Sequence, residues 1–325
     1  MAASNHISNV AIVGAGGNSG RVMTEALLKT GKHIVTAITR VDSQTKLPEG
    51  VLVKRVDYDK TNTLVDALSG QDAMVITLAG NAPPDTEMKL INAAGEVGVP
   101  WILPSEWAPD TANEALVNDV FIFQSKVSIR KAISDLGKSS YIAVSTGFWY
   151  EYMLAIPATF GIDFAKRTVV LFDEGQTKVS VSTLPQVGRV VAALLSLPIS
   201  SHGSACLQHY KDQVVYVNSF TVSQIDMLES ACRVTGTKLD DWTITKEPSH
   251  ERYASGVEQI KDGKRIGFAK MMATRVFYPD GCGDTEHNKG TLNGVLGLPK
   301  EDLDEATQAA VERARTVPNW AEEGS

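Results

Sequence analysis

The sequence predicts an α/β fold, a doubly wound parallel sheet joined to a smaller mixed α/β domain. Three observations carry that prediction. Short apolar runs alternate with stretches apolar at helical spacing through the first 157 residues, the pattern of repeated strand–helix units. The first apolar run ends in a glycine-rich bend that leads into a helix. Beyond Pro157 the alternation loosens into shorter pieces of both kinds. The chain therefore divides into residues 1–157 and a smaller part, 158–325, some of whose strands are expected to return to the same sheet.

Val10, Ala11, Ile12 and Val13 form the first strand, short and wholly apolar. Gly14, Gly17 and Gly20 follow at a spacing of three, and residues 22–28 are apolar at helical spacing up to a stop at Gly31. Glycines in that position permit a tight turn and let backbone approach a pyrophosphate, while the free N–H groups of the helix start face the phosphates. A glycine loop can also merely turn a corner. Its place at the first strand of an α/β pattern favours a Rossmann-type dinucleotide site, with Gly14, Gly16, Gly17 and Gly20 supplying backbone and Asn18 and Ser19 adding side-chain donors.

Residues 33–39 read as the second strand, with Arg40 at its end. A site for NAD usually places an acid there for the ribose 2′-hydroxyl, whereas a 2′-phosphate needs a cation. Arg40 offers a forked donor that matches phosphate, and Lys46 follows within reach. NADPH is therefore favoured over NADH, against the competing feature of Asp42, which can accept from a ribose hydroxyl. Residues 51–56 form a third strand, and Asp57 beyond it either lies near the adenine or caps the helix at 63–68. The fourth strand, 72–78, ends at Leu78 and Ala79, which are expected to line the nicotinamide or its ribose because ligands bind outside the carboxyl ends of parallel strands. Asp85 is expected to cap a helix running to Val97. Strands at 101–104 and 140–145 flank an amphipathic helix over 121–136. In the second part, strands are expected at 168–172, 178–182 and 213–217. Helices are expected at 184–197, from a Thr221 cap to Gly236, twice within 248–275, and at 302–315.

Composition narrows the class. The chain has 325 residues, 43% hydrophobic, with a net charge of −7, so it carries no basic footprint for nucleic acid. No apolar stretch approaches the roughly 20 residues of a membrane span. The first eight residues are polar and run straight into a strand, so no signal peptide is expected. Three cysteines and six histidines are scattered without ligand spacing, so neither a metal site nor a disulfide framework is expected. These features suit a cytoplasmic protein acting on a small molecule.

A nicotinamide reductase must move a hydride and a proton. Many short-chain dehydrogenases use a Tyr followed four residues later by Lys, and none of the eight tyrosines here has Lys at that distance. The next candidate is Lys126, placed on the 121–136 helix so that it can project at the cleft edge, although a helix lysine is more often a solvated charge. Residues 147–152 concentrate aromatics beyond the sixth strand. Trp107, Phe148, Trp149, Tyr150 and Tyr152 are the candidate substrate walls, offering faces to a flat aromatic molecule. The alternative for at least half of them is burial in the joint between the two parts. Glu106 and Glu151 are placed near the same cleft, with a helix cap or a surface carboxylate as the alternative.

The run 14–20, Ala37 to Arg40, Val56 to Asp59, Pro104 to Trp107, and Lys126 with 129–133 together resemble the NmrA-like and isoflavone-reductase-like family, its fungal branch above all. That family comprises atypical short-chain dehydrogenases, and the likeness is strongest over residues 8–155. The resemblance implies that Gly14, Gly17, Gly20 and Arg40 bind NADPH. It also implies that Lys126 is the catalytic lysine, beside the cofactor. Plant members reduce isoflavonoid or lignan-type double bonds, benzylic ethers and conjugated systems. Ala108 stands where a glycine is expected, and the 147–152 loop is bulkier than the plant one, so substrate identity does not transfer. Two readings follow. One is an NADPH-dependent reductase of a small aromatic, phenolic or ketone- or enone-bearing metabolite, within secondary metabolism. The other is an NAD(P)-sensing regulator without turnover, as some NmrA-like proteins are, and the same glycines serve it.

Overall fold

A strand apolar on both faces needs cover on both faces. Val10, Ala11, Ile12 and Val13 are each at most 1% exposed, and the chain supplies that cover with helices above and below. The computed structural model describes residues 4–316; residues 1–3 and 317–325, the outer ends of the two expected domains, lie outside the described residues. The strands in chain order are β1 (Asn9–Val13), β2 (Ile34–Arg40), β3 (Leu52–Val56), β4 (Ala73–Ile76), β5 (Trp101–Leu103), β6 (Ser140–Ser145), β7 (Phe148–Trp149), β8 (Ile162–Asp163), β9 (Thr168–Phe172), β10 (Val179–Ser182), β11 (Gln213–Tyr216), β12 (Phe220–Val222) and β13 (Thr243–Glu247).

Seven strands make the central sheet in the order β11-β6-β5-β4-β1-β2-β3. Every pairing in it is parallel. The order runs outward from β1 in both directions, so the crossover helices fall on opposite faces and a crevice opens at the carboxyl ends of β1 and β4. One face is covered by helices Asn18–Thr30 and Leu184–Leu195, which bury Met23, Leu27, Val187, Val191 and Leu194. Those two helices approach closely: a Cβ on Gly188 would stand 2.4 Å from the carbonyl oxygen of Val22. The other face is covered by helices Thr61–Leu68, Thr86–Val97 and Phe121–Asp135, through Leu64, Leu90, Ile91, Ile129 and Ile133.

Two three-stranded sheets complete the fold, β12-β10-β7 and β13-β9-β8. They enclose a further core of Tyr150, Phe160, Phe172 and Phe277 with helices Gln224–Thr235, Arg265–Arg275 and Leu303–Thr316. The chain passes between the layers more than once: β7 belongs to a small sheet, while β11 returns to the edge of the large one beside β6. Two capping expectations are corrected. Thr221 lies inside β12, and the cap of the next helix is Ser223, in a reciprocal box with Asp226. Asp85 occupies the capping position of Thr86–Val97 but makes no capping bond; its carboxylate pairs instead with Lys89 at 2.8 Å. No helix among the described residues is long and apolar enough to cross a membrane.

Candidate active site

The crevice at the carboxyl ends of β1 and β4 is a cavity of about 1150 Å³, running from the glycine bend past the ends of β2 and β3 to Trp149 and Tyr152. Its glycine end is backbone. Gly14 sits at φ 81°, and the N–H of Gly17 closes the turn on the Gly14 carbonyl at 2.9 Å. A Cβ on Gly14 would lie 2.0 Å from the Thr77 carbonyl oxygen, and one on Gly20 would lie 2.1 Å from the Gly14 carbonyl oxygen. No side chain fits at either position. Thr77 locks the contact from the β4 side by donating its hydroxyl to the Val13 carbonyl at 2.8 Å.

The helix Asn18–Thr30 starts at this bend with no side-chain cap and no acidic residue in its first turn. Its leading N–H groups therefore lack intrahelical acceptors and carry the positive end of the helix dipole. Gly14, Gly16, Gly17, Asn18 and Ser19 all line the cavity; Gly20 supports the bend from behind. The cradle that a Cβ would fill, joined to an uncapped helix start, fits a dinucleotide's pyrophosphate.

At the next strand end, Arg40 is 67% exposed and its Nε is 3.6 Å from Asp42 Oδ1, so the two residues expected to compete at a ribose 2′-position lie side by side. The loop carrying them is held by Arg55, whose guanidinium donates to the carbonyls of Arg40 at 3.4 Å and of Val41 and Ser43 at 3.2 Å. Lys46 does not line the cavity; Ser43, Thr45 and Leu47 do. Its own side chain is solvent-facing and its carbonyl accepts from Arg21. Asp57 lines the wall beside Tyr58. A bond from Lys60 holds the Asp57 carboxyl below its usual range. Burial pushes the Tyr58 hydroxyl up, against the pull of Arg40. Lys89 bridges Asp59 and Asp85 across the rim at 2.8 Å each.

Leu78 and Ala79 line the cavity's inner part. Lys126 lies behind it and does not line it: its Nζ is 3.3 Å from Glu87 Oε2. Of the five candidate aromatics, Trp149 and Tyr152 line the cavity, edge to face with ring centres 5.8 Å apart. The Arg313 guanidinium stacks on Tyr152 from behind, 4.2 Å from the ring centre. Trp107, Phe148 and Tyr150 are placed otherwise. Trp107 is buried under the main sheet and donates its indole N–H to the Ile76 carbonyl at 2.8 Å. Phe148 packs edge-on against Phe160 in the second core. Tyr150 is fully buried, its hydroxyl 2.8 Å from Thr307 Oγ1. The reason is parity. Around the strand-to-helix junction Phe148, Tyr150, Met153 and Leu154 turn inward, which leaves Trp149 and Tyr152 at the cavity. Burial also raises the Glu151 carboxyl, which accepts from the Leu184 amide. Glu106 is buried against Arg130 and Thr111, so it braces the loop after β5.

The sequence does not mark Glu87 and Arg55 as site residues. Glu87 carried one signal, an acid in the first turn of a helix that begins at the carboxyl end of a parallel strand. Arg55 carried none, because a charged residue on an edge strand reads as solvated.

The chain matches the model of the NmrA-like family over residues 6–205, and it belongs to that family. Oxidoreductase aprR of Aspergillus flavus is 28% identical over 301 residues, covering 91% of this chain and 96% of its own. Oxidoreductase poxI of Penicillium oxalicum is 25% identical, with 90% of each chain covered. Among solved structures, one from the pinoresinol-lariciresinol and phenylcoumaran benzylic ether reductases superposes with a TM-score of 0.73 at 18% identity, over 93% of this chain and 98% of its own. The NADPH-dependent quinone oxidoreductase of Escherichia coli in complex with NADPH gives 0.67 at 19% identity, over 92% and 98%. Those two likenesses establish the fold.

Proposed function

We propose that this oxidoreductase holds NADPH in the cavity and reduces a small, flat, conjugated acceptor, an aromatic, phenolic, ketone or enone metabolite of secondary metabolism. The observation that carries the reading is the glycine bend, where contact distances admit only backbone beside an uncapped helix start. NADPH, when bound, supplies the hydride. Gly14, Gly16, Gly17, Asn18 and Ser19 hold the pyrophosphate, with Gly20 keeping the bend tight. Arg40 reads the 2′-phosphate, and Asp57 lies towards the adenine. Leu78 and Ala79 bound the reacting end. Trp149 and Tyr152 orient the acceptor by their faces. Lys126 holds the proton that balances the reduction and delivers it from Nζ to the acceptor atom that gains negative charge. Its reach to the cavity requires it to turn from Glu87.

Residues 1–157 are then the nucleotide-binding part and 158–325 the substrate side, lent to one another through β7 and β11. The structural neighbours include a quinone oxidoreductase and a structure holding NADP+ and (+)-pinoresinol, ring-bearing small molecules that support the same class here. The test is oxidation of NADPH with a panel of quinones, phenolic enones and benzylic ethers, in wild type and Lys126→Ala. Turnover that survives Lys126→Ala unchanged removes the lysine from the mechanism. Tight NADPH binding without turnover on any acceptor favours the sensing alternative.

A further inference from the structure

Lys126 is held in a way that its neighbours on the same helix are not. Lys131 pairs with Asp135 in the open, with side chains 73% and 61% exposed. Lys126 and Glu87 are 19% and 8% exposed. A buried carboxylate needs partners, and Glu87 has them on both oxygens: Oε2 faces the Lys126 ammonium, and Oε1 accepts the Ser105 backbone N–H at 2.7 Å. It also sits in the first turn of Thr86–Val97, where the helix dipole favours a negative charge. Ser105 in turn accepts, at its Oγ, the backbone N–H of Leu78 at 3.2 Å. Leu78 and Thr86 both line the cavity. Three segments distant in sequence thus meet at one carboxylate, and through it the Lys126 amine is tied to the backbone that floors the cavity. Lys126's helix is anchored again one turn on, where Arg130 is buried against Glu106 and Thr111.

We propose that Glu87 is a positioning residue: it holds the Lys126 ammonium at a fixed place behind Leu78, from which the amine turns into the cavity to deliver its proton. This rests on the reading of Lys126 given above. The atoms balance simply. The N–H bond of the Lys126 ammonium breaks, the acceptor gains that proton, and solvent water reprotonates the amine, with the hydride coming from NADPH.

Glu87→Gln separates the two bonds. Its amide oxygen still accepts from Ser105, while the charge facing Lys126 is gone. The first readout needs neither cofactor nor substrate: competitive acylation of lysines, read by peptide mass spectrometry, with Lys131 as internal reference. In Glu87→Gln the labelling of Lys126 relative to Lys131 is expected to rise several-fold. The second readout is steady-state reduction of 1,4-naphthoquinone or whichever panel acceptor turns over. There kcat is expected to fall about tenfold, the size of one charge-assisted hydrogen bond, with the Kd for NADPH and the melting temperature unchanged. In a Lys126→Ala background the same substitution is expected to do nothing further to kcat. Should Glu87→Gln fold poorly, Glu87→Asp, which keeps the charge and withdraws it by one methylene, carries the same labelling and kcat expectations. Unchanged labelling, or an unchanged kcat, overturns the proposal. A fall in kcat that persists in the Lys126→Ala background assigns Glu87 a structural role and also overturns it. If Lys126→Ala alone leaves turnover intact, the lysine reading has failed, and the labelling ratio still reports whether Glu87 restrains the amine.

Discussion

At the phosphate end of the cavity the wall is main chain, and its shape follows from five or six consecutive residues: a strand ends, Gly14 turns at φ 81°, and a helix begins without a cap. At the far end, where the acceptor is proposed to sit, the wall is side chain. Trp149 and Tyr152 come from the β7 junction, and behind them stand Arg313 from the helix Leu303–Thr316 and the Lys126–Glu87 pair from two different crossover helices. The first end tolerates almost no change because its contacts are backbone to backbone. The second rests on side chains, each of which a single substitution removes without touching the backbone wall.

The largest expected effect tests the backbone end. In Gly14→Ala the new Cβ meets the Thr77 carbonyl oxygen at 2.0 Å and is forced into a left-handed backbone. The backbone cost alone is about 1–3 kcal/mol, so both the melting temperature and NADPH affinity should fall, the latter by about tenfold to a hundredfold. Gly17→Ala sharpens the contrast. Its nearest atom is the Gly14 carbonyl oxygen at 3.3 Å, and its φ is −75°, so the melting temperature should hold while NADPH affinity falls. Calorimetric unfolding and an NADPH titration check both. A Gly17→Ala protein that binds NADPH as wild type does would mean the pyrophosphate does not approach this turn.

Arg40→Ala comes next. Loss of one charge-assisted contact to phosphate is worth about 1.5–3 kcal/mol, so NADPH affinity should drop about tenfold or more while NADH affinity stays within a factor of about two. Equal losses for both nucleotides would mean that Arg40 does not read the 2′-phosphate.

The acceptor end gives smaller, separable effects. Trp149→Ala or Tyr152→Ala should raise the KM for the acceptor about three- to tenfold, the worth of an aromatic face, and leave the Kd for NADPH alone. Tyr150→Phe should do the reverse of a site mutation. It loses the bond to Thr307 and about 1 kcal/mol of stability, with KM unchanged. A KM effect from Tyr150→Phe would mean that the second core, not only its surface, shapes the substrate site.

The same contrast explains what the sequence disclosed. The parallel sheet, the glycine bend and Arg40 depend on local order, and local order is what apolar periodicity and glycine spacing encode. The aromatic walls depend on parity across a strand-to-helix junction. Five aromatic candidates could be read from composition, but choosing Trp149 and Tyr152 over Phe148 and Tyr150 needed the phase of both elements at once. Lys46 was reached by counting residues along a loop, whereas the loop's path is set by Arg55 gripping three carbonyls from a neighbouring strand. Glu87 meets Ser105 and Lys126 only because two successive crossovers, β4 to β5 and β5 to β6, pack together, and no spacing within one element records that.

The smallest effect lies farthest from the chemistry, on the helix that carries Arg313. Asp304 opens that helix and binds the Arg233 guanidinium through both oxygens, at 2.7 and 2.8 Å. The Arg233 contact first, and the Ser230 hydroxyl second, hold its carboxyl down from 3.8 to about 2. A carboxyl whose folded value is depressed adds stability above its unfolded value and loses it as the pH falls through the folded one. The contribution is therefore complete above pH 3.8 and gone below about 2. Both side chains are more than a third exposed, so solvent screens the pair and the effect on melting temperature should be only about a degree or two. Asp304→Asn keeps an acceptor for Ser230 and removes the charge. Its melting temperature should run below wild type at neutral pH and converge with it on acidification through that window. A gap that stays constant to low pH would place the stabilisation in helix geometry and not in the ion pair, and would loosen the link between this helix and the stacking of Arg313 on Tyr152.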